Sequence, residues 1–270
     1  MTTEAITHPG APATPAITRP TAPPGAFLVS AEVARRALLK YFRTPGLSVM
    51  GVVTSVLFLF SFRFVFGGAV QGGASRYADF FVPGYVATIV LFTGAGIAVA
   101  VADDRAAGFT GRLLSLPVPR LSIVLGRALA DVTTNAWSIL VTAAFGFLFG
   151  FRLGGSVTDG VAALGLCLLY GVVFTMVFIV IGLISPNAQA AQGMSMVAFV
   201  FAFISSTYVP AGTMPGWLQP FAKYQPISPM VTAVRSLIAG GTSDLGLALA
   251  WSALLMIVFT PIAVLRYRRA

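Results

Sequence analysis

Six apolar stretches, each near the length that crosses a bilayer, constrain this chain more than any other feature. An α-helix needs about 20 mostly apolar residues to span the hydrocarbon core of a membrane. The chain is 57% hydrophobic and only 9% charged, so it lacks the charged surface of a water-soluble globule. The sequence therefore predicts an all-α integral membrane protein with six transmembrane helices. The stretches are residues 46–66, 80–102, 121–150, 161–184, 193–209 and 246–265.

Two of these stretches depart from the usual length. Residues 121–150 would form a helix of about 45 Å, which is longer than the hydrocarbon core. We expect the first turns of this helix to project into the cytoplasm. Residues 193–209 would form only about 25 Å of helix, which requires local thinning of the bilayer or continuation into the next segment.

The N-terminal region divides into a tail and a surface helix. Residues 1–26 contain six prolines and no apolar core, which predicts a disordered cytoplasmic tail. No short apolar stretch with a small-residue cleavage site follows, so no secretory signal peptide is predicted. Residues 27–43 mix apolar and basic side chains, a pattern typical of a helix lying along the membrane surface.

The basic residues indicate the orientation of the chain in the membrane. With both termini in the cytoplasm, twelve of the 17 Lys and Arg residues lie on the inner side. Cytoplasmic loops carry an excess of Lys and Arg, so a multi-pass protein of the cell membrane with both termini inside is predicted. Because the basic residues flank apolar stretches, the net charge of +9 does not indicate nucleic-acid binding. The outer side receives Arg63, Arg76, Arg152, Lys223 and Arg235.

Residues 210–241 are too apolar for a water-exposed loop and too interrupted by proline to span a membrane. Each of the five prolines here removes a backbone donor and prevents a continuous helix. Aromatic side chains in the same segment favour the membrane–water boundary. We predict a re-entrant pair of short helices on the outer face. The residues that define this segment are Pro215, Trp217, Gln219, Pro220, Phe221, Pro226 and Arg235.

The chain lacks the residue patterns of an enzyme or a metal protein. Its one cysteine, Cys167, lies in an apolar stretch, and its one histidine, His8, lies in the tail, so a cysteine- or histidine-based metal site is not predicted. No phosphate-binding loop, paired-carboxylate site or serine–histidine arrangement is present. No cofactor site is predicted in this chain. Because no acidic residue lies at the centre of a span, ion-coupled transport is disfavoured.

Residues 103–120 form the longest charged loop on the predicted inner side. Two acidic residues suit a helix N-terminus, leucines supply an apolar face, and Pro117 and Pro119 end the helix. Such a helix fits a groove on a partner, but a loop that only links two spans has the same composition. The residues of this segment that would couple the chain to such a partner are Asp103, Asp104, Arg105, Gly108, Arg112, Leu113, Leu114 and Leu116.

Arg127 and Asp131 are separated by four residues at the inner end of the third stretch. This spacing lets the two side chains pair on one helix face. An exposed pair of little energetic value and a pair that gates a pathway are both open interpretations.

Aromatic and methionine side chains in several stretches would suit a hydrophobic substrate. Lipid contact or core packing explains the same residues. The candidates for a substrate path are Phe58, Phe92, Phe199, Phe203 and Tyr208, with Phe62, Met194 and Met196 also in the lining.

Three segments together resemble the membrane subunits of type 2 ABC transporters, particularly the daunorubicin-resistance-like group. They are FFVPGYVATIVLF at 80–92, the run from Asp103 to Asp131, and the proline-rich segment at 215–241. The resemblance covers the chain after residue 26. Gly111 departs from it, since an acidic residue is expected before Arg112.

The resemblance implies a non-catalytic permease that pairs with a second copy or a sister permease. Two cytoplasmic ATPase subunits of another chain would bind Mg-ATP and dock on residues 103–116, and the outer segment would cover the exit. The implied function is export of a hydrophobic small molecule, such as an antibiotic or a lipid-like metabolite. Export of a lipid-linked polysaccharide or cell-wall polymer, an ATP-independent transporter or channel, and a membrane-embedded enzyme are the alternatives.

Overall fold

The computed structural model describes residues 31–32, 34–36, 38–39, 43, 45–66, 73–108 and 120–267. These residues contain no β-strand, and the described positions between 31 and 43 are helical. The predicted tail and the rest of the predicted surface helix lie outside the described residues. The helices are α1 (Pro45–Ser61), α2 (Gly73–Ala106), α3 (Arg120–Leu148), α4 (Val157–Ile184), α5 (Ala188–Ile204), α6 (Gln219–Tyr224), α7 (Ile227–Ile238) and α8 (Leu245–Tyr267).

Three helices are long and apolar enough to cross a membrane. They are Asp79–Ala106 in α2, Val157–Ile184, which is α4, and Leu245–Arg266 in α8. Shorter apolar helices are Gly51–Val65, Ala188–Ile204 and Ile227–Ile238. The all-α membrane fold is therefore confirmed, and the count of six spans stays a prediction.

The core of the fold is built around α2 and α4. Residues 81–91 of α2 are all buried, and α2 packs against α3, α4, α5 and α7. By contrast, only 17% of the apolar window of α8 is buried inside the protein. A helix that is apolar on all sides, but of which only one side is covered by the rest of the protein, belongs at the lipid-facing surface of a membrane protein.

Small residues bring α2 and α4 close together. A Cβ added at Gly94 would collide with the ring of Phe178, and one added at Gly182 would lie 2.5 Å from the Ala98 carbonyl oxygen. Without a hydrophobic driving force between helices in lipid, such close backbone approach is a main source of helix association. The two helices are therefore packed without room for larger side chains at these points.

Helix α5 differs from the predicted stretch 193–209. It begins after Asn187, whose side chain accepts a hydrogen bond from the amide of Ala190 (2.8 Å), and it ends at Ile204. The residues that follow are Ser205, Ser206 and Thr207, and Ser205 donates to the Ala202 carbonyl. Hydroxyls of this kind compete with helical hydrogen bonds, so the helix unwinds while the sequence is still apolar enough to predict a span.

Residues 210–241, called the outer segment after their predicted side of the membrane, contain a 3₁₀ turn (Ala211–Thr213) followed by α6 and α7. Pro220 and Pro229 lie in the first turns of α6 and α7, where the missing backbone donor costs nothing. The side chains of α6 are largely exposed, whereas α7 is buried along most of its length. Helix α7 packs against α2, α4 and α8 and is therefore part of the core rather than a surface loop.

Candidate functional site

A cluster of charges joins α2 and α3 at the predicted inner end. The guanidinium of Arg127 lies 3.3 Å from an Asp131 carboxylate oxygen and 3.5 Å from an Asp104 carboxylate oxygen. The spacing of Arg127 and Asp131 predicts this pairing, but Asp131 is only 5% exposed, so the pair is not a surface contact. The contact from Asp104 was not predicted, because nothing in the sequence links residues 23 positions apart on two helices.

The next residue along α2 contacts a different helix. Nη1 of Arg105 donates to the carbonyl oxygen of Leu183 in the last turn of α4 (2.7 Å). The last carbonyls of a helix have no partner within the helix, and they attract positive charge. Arg105 therefore caps α4. The last turn of α2 is thus bound to α3 through Asp104 and to α4 through Arg105.

Gly108 ends α2 directly after this turn. Its φ of +67° lies in the left-handed region, which glycine enters without the strain a Cβ would cause. Its amide donates to the Arg105 carbonyl (3.0 Å), as is usual where a helix terminates in this conformation. The other coupling candidates, Arg112, Leu113, Leu114 and Leu116, lie outside the described residues.

A continuous group of stacked rings, here called the ring cluster, connects α1, α2 and α5. All five residues predicted for a substrate path belong to it, and Phe62 joins it from the π-helical turn Phe62–Phe66 after α1. Sequence reasoning missed Phe81 and Tyr85, although their spacing from Phe92 puts all three near one helix face. The ring cluster consists of Phe58, Phe62, Phe81, Tyr85, Phe92, Phe199, Phe203 and Tyr208.

Phe92 is the central ring of this cluster. Its centroid lies 5.8 Å from that of Phe58 on α1 and 4.5 Å from that of Phe199 on α5. Near the end of α5, Phe203 stacks on Tyr208 at 4.8 Å and is 53% exposed. The ring cluster therefore reaches from the buried face of α2 to the exposed face of α5. Met194 lies elsewhere on α5, where its sulfur accepts from the Ser185 hydroxyl (3.4 Å).

Arg235 of α7 joins three parts of the chain at the predicted outer end of the molecule. Its Nη1 and Nη2 donate to the carbonyl oxygens of Ser206 (2.7 Å) and Thr207 (2.6 Å), just beyond the end of α5. Its Nε donates to the Phe80 carbonyl of α2 (2.9 Å). Gly84 makes room for this arrangement, since a Cβ there would lie 2.5 Å from Nη2 of Arg235.

Two more side chains of the outer segment form hydrogen bonds with backbone groups at the C-terminal end of α5. Nε2 of Gln225 donates to the Phe201 carbonyl (2.8 Å), and Oγ of Ser228 accepts from the amide of Ser206 (3.0 Å). In a membrane, backbone groups outside a helix need such partners within the protein. The unwound residues after α5 are therefore supported by α7 and the residues just before it.

The remaining residues of the predicted outer segment are exposed or half-buried. Nε2 of Gln219 donates to the Met214 carbonyl (2.8 Å) and closes the turn that contains Pro215. Trp217 is 80% exposed, and Phe221 is also exposed. Pro226 is the residue before α7. The exposed aromatic side chains are those expected where a protein contacts the headgroup region of a bilayer.

Comparison with known protein families identifies the family of this chain. The sequence model of the ABC-2 type transporter family matches residues 31–239. The chain belongs to the ABC-2 type transporter family. The resemblance found in the sequence is thereby confirmed, and this ABC-2 family member is a multi-pass membrane protein.

Individual relatives of this ABC-2 family member match between about three quarters and nine tenths of its length. The daunorubicin resistance ABC transporter permease protein DrrB1 of Streptomyces coeruleorubidus is 30% identical over 91% of this chain and 89% of its own. The probable doxorubicin resistance ABC transporter permease protein DrrC of Mycobacterium tuberculosis is 25% identical over 90% of each chain. A putative transport permease, ycf38 of Cyanophora paradoxa, is 22% identical over 76% of this chain and 72% of its own.

Proposed function

We propose that this chain is the non-catalytic permease subunit of an ATP-driven exporter that moves a hydrophobic small molecule out of the cell. Separate cytoplasmic ATPase subunits, which bind Mg-ATP, supply the energy. The match to the ABC-2 type transporter family over residues 31–239 carries the proposal. The names of two relatives, which refer to daunorubicin and doxorubicin resistance, support a drug or a drug-like metabolite as the substrate.

The ring cluster supports a hydrophobic, aromatic substrate. Aromatic side chains bind flat apolar molecules by stacking, at centroid separations of about 4.5–7 Å. Phe92 has such separations from Phe58 and from Phe199. A flat ligand that stacks on one of these rings would therefore replace a ring–ring contact by a ring–ligand contact of the same kind. The path in this proposal runs along these rings, between the two permease subunits of a dimer.

The proposed arrangement in the membrane has six spans with both termini in the cytoplasm. Helices α1 to α5 and α8 form the spans, and α7 is the re-entrant helix. The partner is a second copy of the chain or a sister permease. The distribution of basic residues supports this orientation, because twelve of the 17 Lys and Arg residues then lie inside.

The two ends of the chain have separate roles in this proposal. At the inner end, the region of residues 103–116 transmits movement from the ATPase, and Arg127 with Asp131 closes the inner mouth of the path. At the outer end, the exposed part of the outer segment acts as the lid. Helix α7 is buried and held by Arg235, so the moving part is the segment with Trp217 and α6.

The proposal is tested by co-expressing the chain with each candidate ABC ATPase subunit from the same organism and selecting the one that co-purifies with it. The purified complex is used to measure ATP hydrolysis. Inverted membrane vesicles that contain the complex are incubated with doxorubicin, whose fluorescence reports uptake. We expect ATP-dependent uptake and an ATPase rate that doxorubicin stimulates. Doxorubicin flux by the purified chain alone, driven by an ion gradient and without an ATPase, would contradict the proposal.

A further inference from the structure

Two adjacent residues at the end of α2 bind two different helices. The carboxylate of Asp104 lies 3.5 Å from Nη1 of Arg127 on α3, and Nη1 of Arg105 donates to Leu183 of α4 at 2.7 Å. Successive residues of a helix point about 100° apart around its axis. The last turn of α2 therefore lies between α3 and α4, with one charged side chain directed to each.

Both contacts join α2 to other helices of the same chain, which distinguishes Asp104 and Arg105 from their neighbour Asp103. Arg105 is itself an exposed residue, and the hydrogen bond of its Nη1 ties it to α4. Asp103 is exposed and forms no ion pair or side-chain hydrogen bond with a described residue. Leu183 is buried at 4% exposure, so a departure of Arg105 would leave its carbonyl oxygen without this donor in a low-dielectric site. A buried acceptor that loses a charged donor is costly. The hydrogen bond to Leu183 therefore disfavours release of Arg105 from α4 to a partner protein.

Arg127 forms one ion pair within α3, with Asp131, and one ion pair between helices, with Asp104 of α2. Asp131 is on the same helix, one turn away, so any movement of α3 carries both residues together. Asp104 comes from α2, and only this contact depends on the distance between the two helices. If α2 moved without α3, the contact of Asp104 would be lost and that of Asp131 would stay.

We propose that Asp104 and Arg105 are positioning residues, which fasten the end of α2 to α3 and α4 so that a displacement arriving through residues 109–119 moves three helix ends together. The part about displacement rests on the proposed function. The fastening itself does not, because it concerns contacts within this chain. Neither residue would contact the ATPase, unlike the role expected from the sequence, and Gly108 marks the point where the fastened helix ends.

The fastening is measured on the purified chain in lipid nanodiscs, without any ATPase. Amide hydrogen exchange in residues 101–106 is compared among the wild type, Asp104→Asn, Arg105→Met and the matched control Asp103→Asn. We expect exchange about fivefold faster in Asp104→Asn and about tenfold faster in Arg105→Met, in line with a partly buried ion pair and a charged hydrogen bond. Exchange in Asp103→Asn should equal that of the wild type. Equal exchange in Asp103→Asn and Asp104→Asn would overturn the proposal whether or not the chain is a transporter.

The transmission is measured on the complex with the ATPase, using doxorubicin as the probe. Asp104→Asn and Arg105→Met should retain the wild-type amount of ATPase, its basal turnover and its KM for ATP. Their doxorubicin uptake should fall about fivefold and about tenfold. Asp104→Glu should restore uptake, since a longer carboxylate still reaches Arg127, and Arg266→Met is the control for loss of an exposed cation. Loss of bound ATPase in step with uptake would show a docking role and overturn the proposal. Failure of the wild-type chain to retain any ATPase would instead contradict the proposed function and leave the exchange result as the test of fastening.

Discussion

Arg235 contacts Phe80 in two ways at once. Its guanidinium carbon lies 3.7 Å from the centroid of the Phe80 ring, and its Nε donates to the Phe80 carbonyl oxygen. A cation over a ring face is attracted by the electron-rich π system. The two other nitrogens of the planar guanidinium donate to the carbonyl oxygens that follow α5. Arg235 therefore joins three parts of the chain with one side chain.

Replacing Arg235 by methionine removes the donors of three carbonyl oxygens. We expect a loss of at least about 3 kcal/mol in the free energy of unfolding, because buried acceptors lose charged donors. Thermal unfolding in detergent measures the effect. Arg235→Lys should recover only part of the loss, since an ammonium lacks the planar fork.

The control for this change is Lys223→Met, which removes a cation from the exposed side of the same outer segment. Its unfolding temperature should stay near that of the wild type. Equal destabilisation by both substitutions would mean that the outer segment responds to its total charge rather than to the geometry of Arg235.

Gly84 gives a second test of the same contact. An alanine at this position would place its Cβ 2.5 Å from Nη2 of Arg235 and 3.0 Å from the Thr207 carbonyl. We expect Gly84→Ala to destabilise the protein by about 1–3 kcal/mol, as overpacking usually does. Gly96→Ala lies on the same helix in open space and should be neutral or stabilising. In an Arg235→Met background, Gly84→Ala should lose most of its effect, and full additivity of the two changes would argue against direct contact.

Tyr170 links α4 to α8. Its hydroxyl donates to the Ala248 carbonyl oxygen (2.8 Å), and the side chain is buried. Tyr170→Phe should cost about 1 kcal/mol of unfolding free energy, the usual net value of one hydrogen bond. The exposed Tyr224 provides the matched control, and Tyr224→Phe should leave thermal unfolding unchanged.

Phe92 is the residue whose loss should interrupt the ring cluster. Phe92→Ala removes the ring between Phe58 and Phe199, and we expect doxorubicin uptake by the complex to fall about tenfold, consistent with the loss of aromatic contacts. Phe147→Ala removes an exposed ring that contacts Phe151 outside the cluster. If Phe92→Ala transported doxorubicin as fast as Phe147→Ala, the ring cluster would not be part of the transport path.

Much of the architecture could be predicted because it depends on local patterns. The apolar stretches of α2, α4 and α8 are long enough to identify helices without knowledge of their neighbours. The pairing of Arg127 with Asp131 follows from helical spacing alone. Helix α5 was harder, because the apolar pattern continues past Ile204 and only the hydroxyl residues after it explain where the helix ends.

The contacts that organise the two ends could not be predicted, because they join residues far apart in the sequence. Arg63 donates to the Phe149 carbonyl after α3 (2.9 Å), Arg105 donates to Leu183, and Arg235 donates to Ser206 and Thr207. Each arginine serves the C-terminal end of a helix other than its own. Charge counting assigned these residues to a side of the membrane, but their partners depend on how the helices are packed.

The support that α5 receives from the outer segment determines how this protein can be recombined with its relatives. Gln225, Ser228 and Arg235 supply hydrogen-bond partners to backbone groups between Phe201 and Thr207. A chimaera with a junction at the end of α5 would combine the backbone groups of one parent with the side-chain partners of the other. Residues 188–238 are therefore best exchanged between permeases as a single cassette, with Phe80 and Gly84 taken from the same parent.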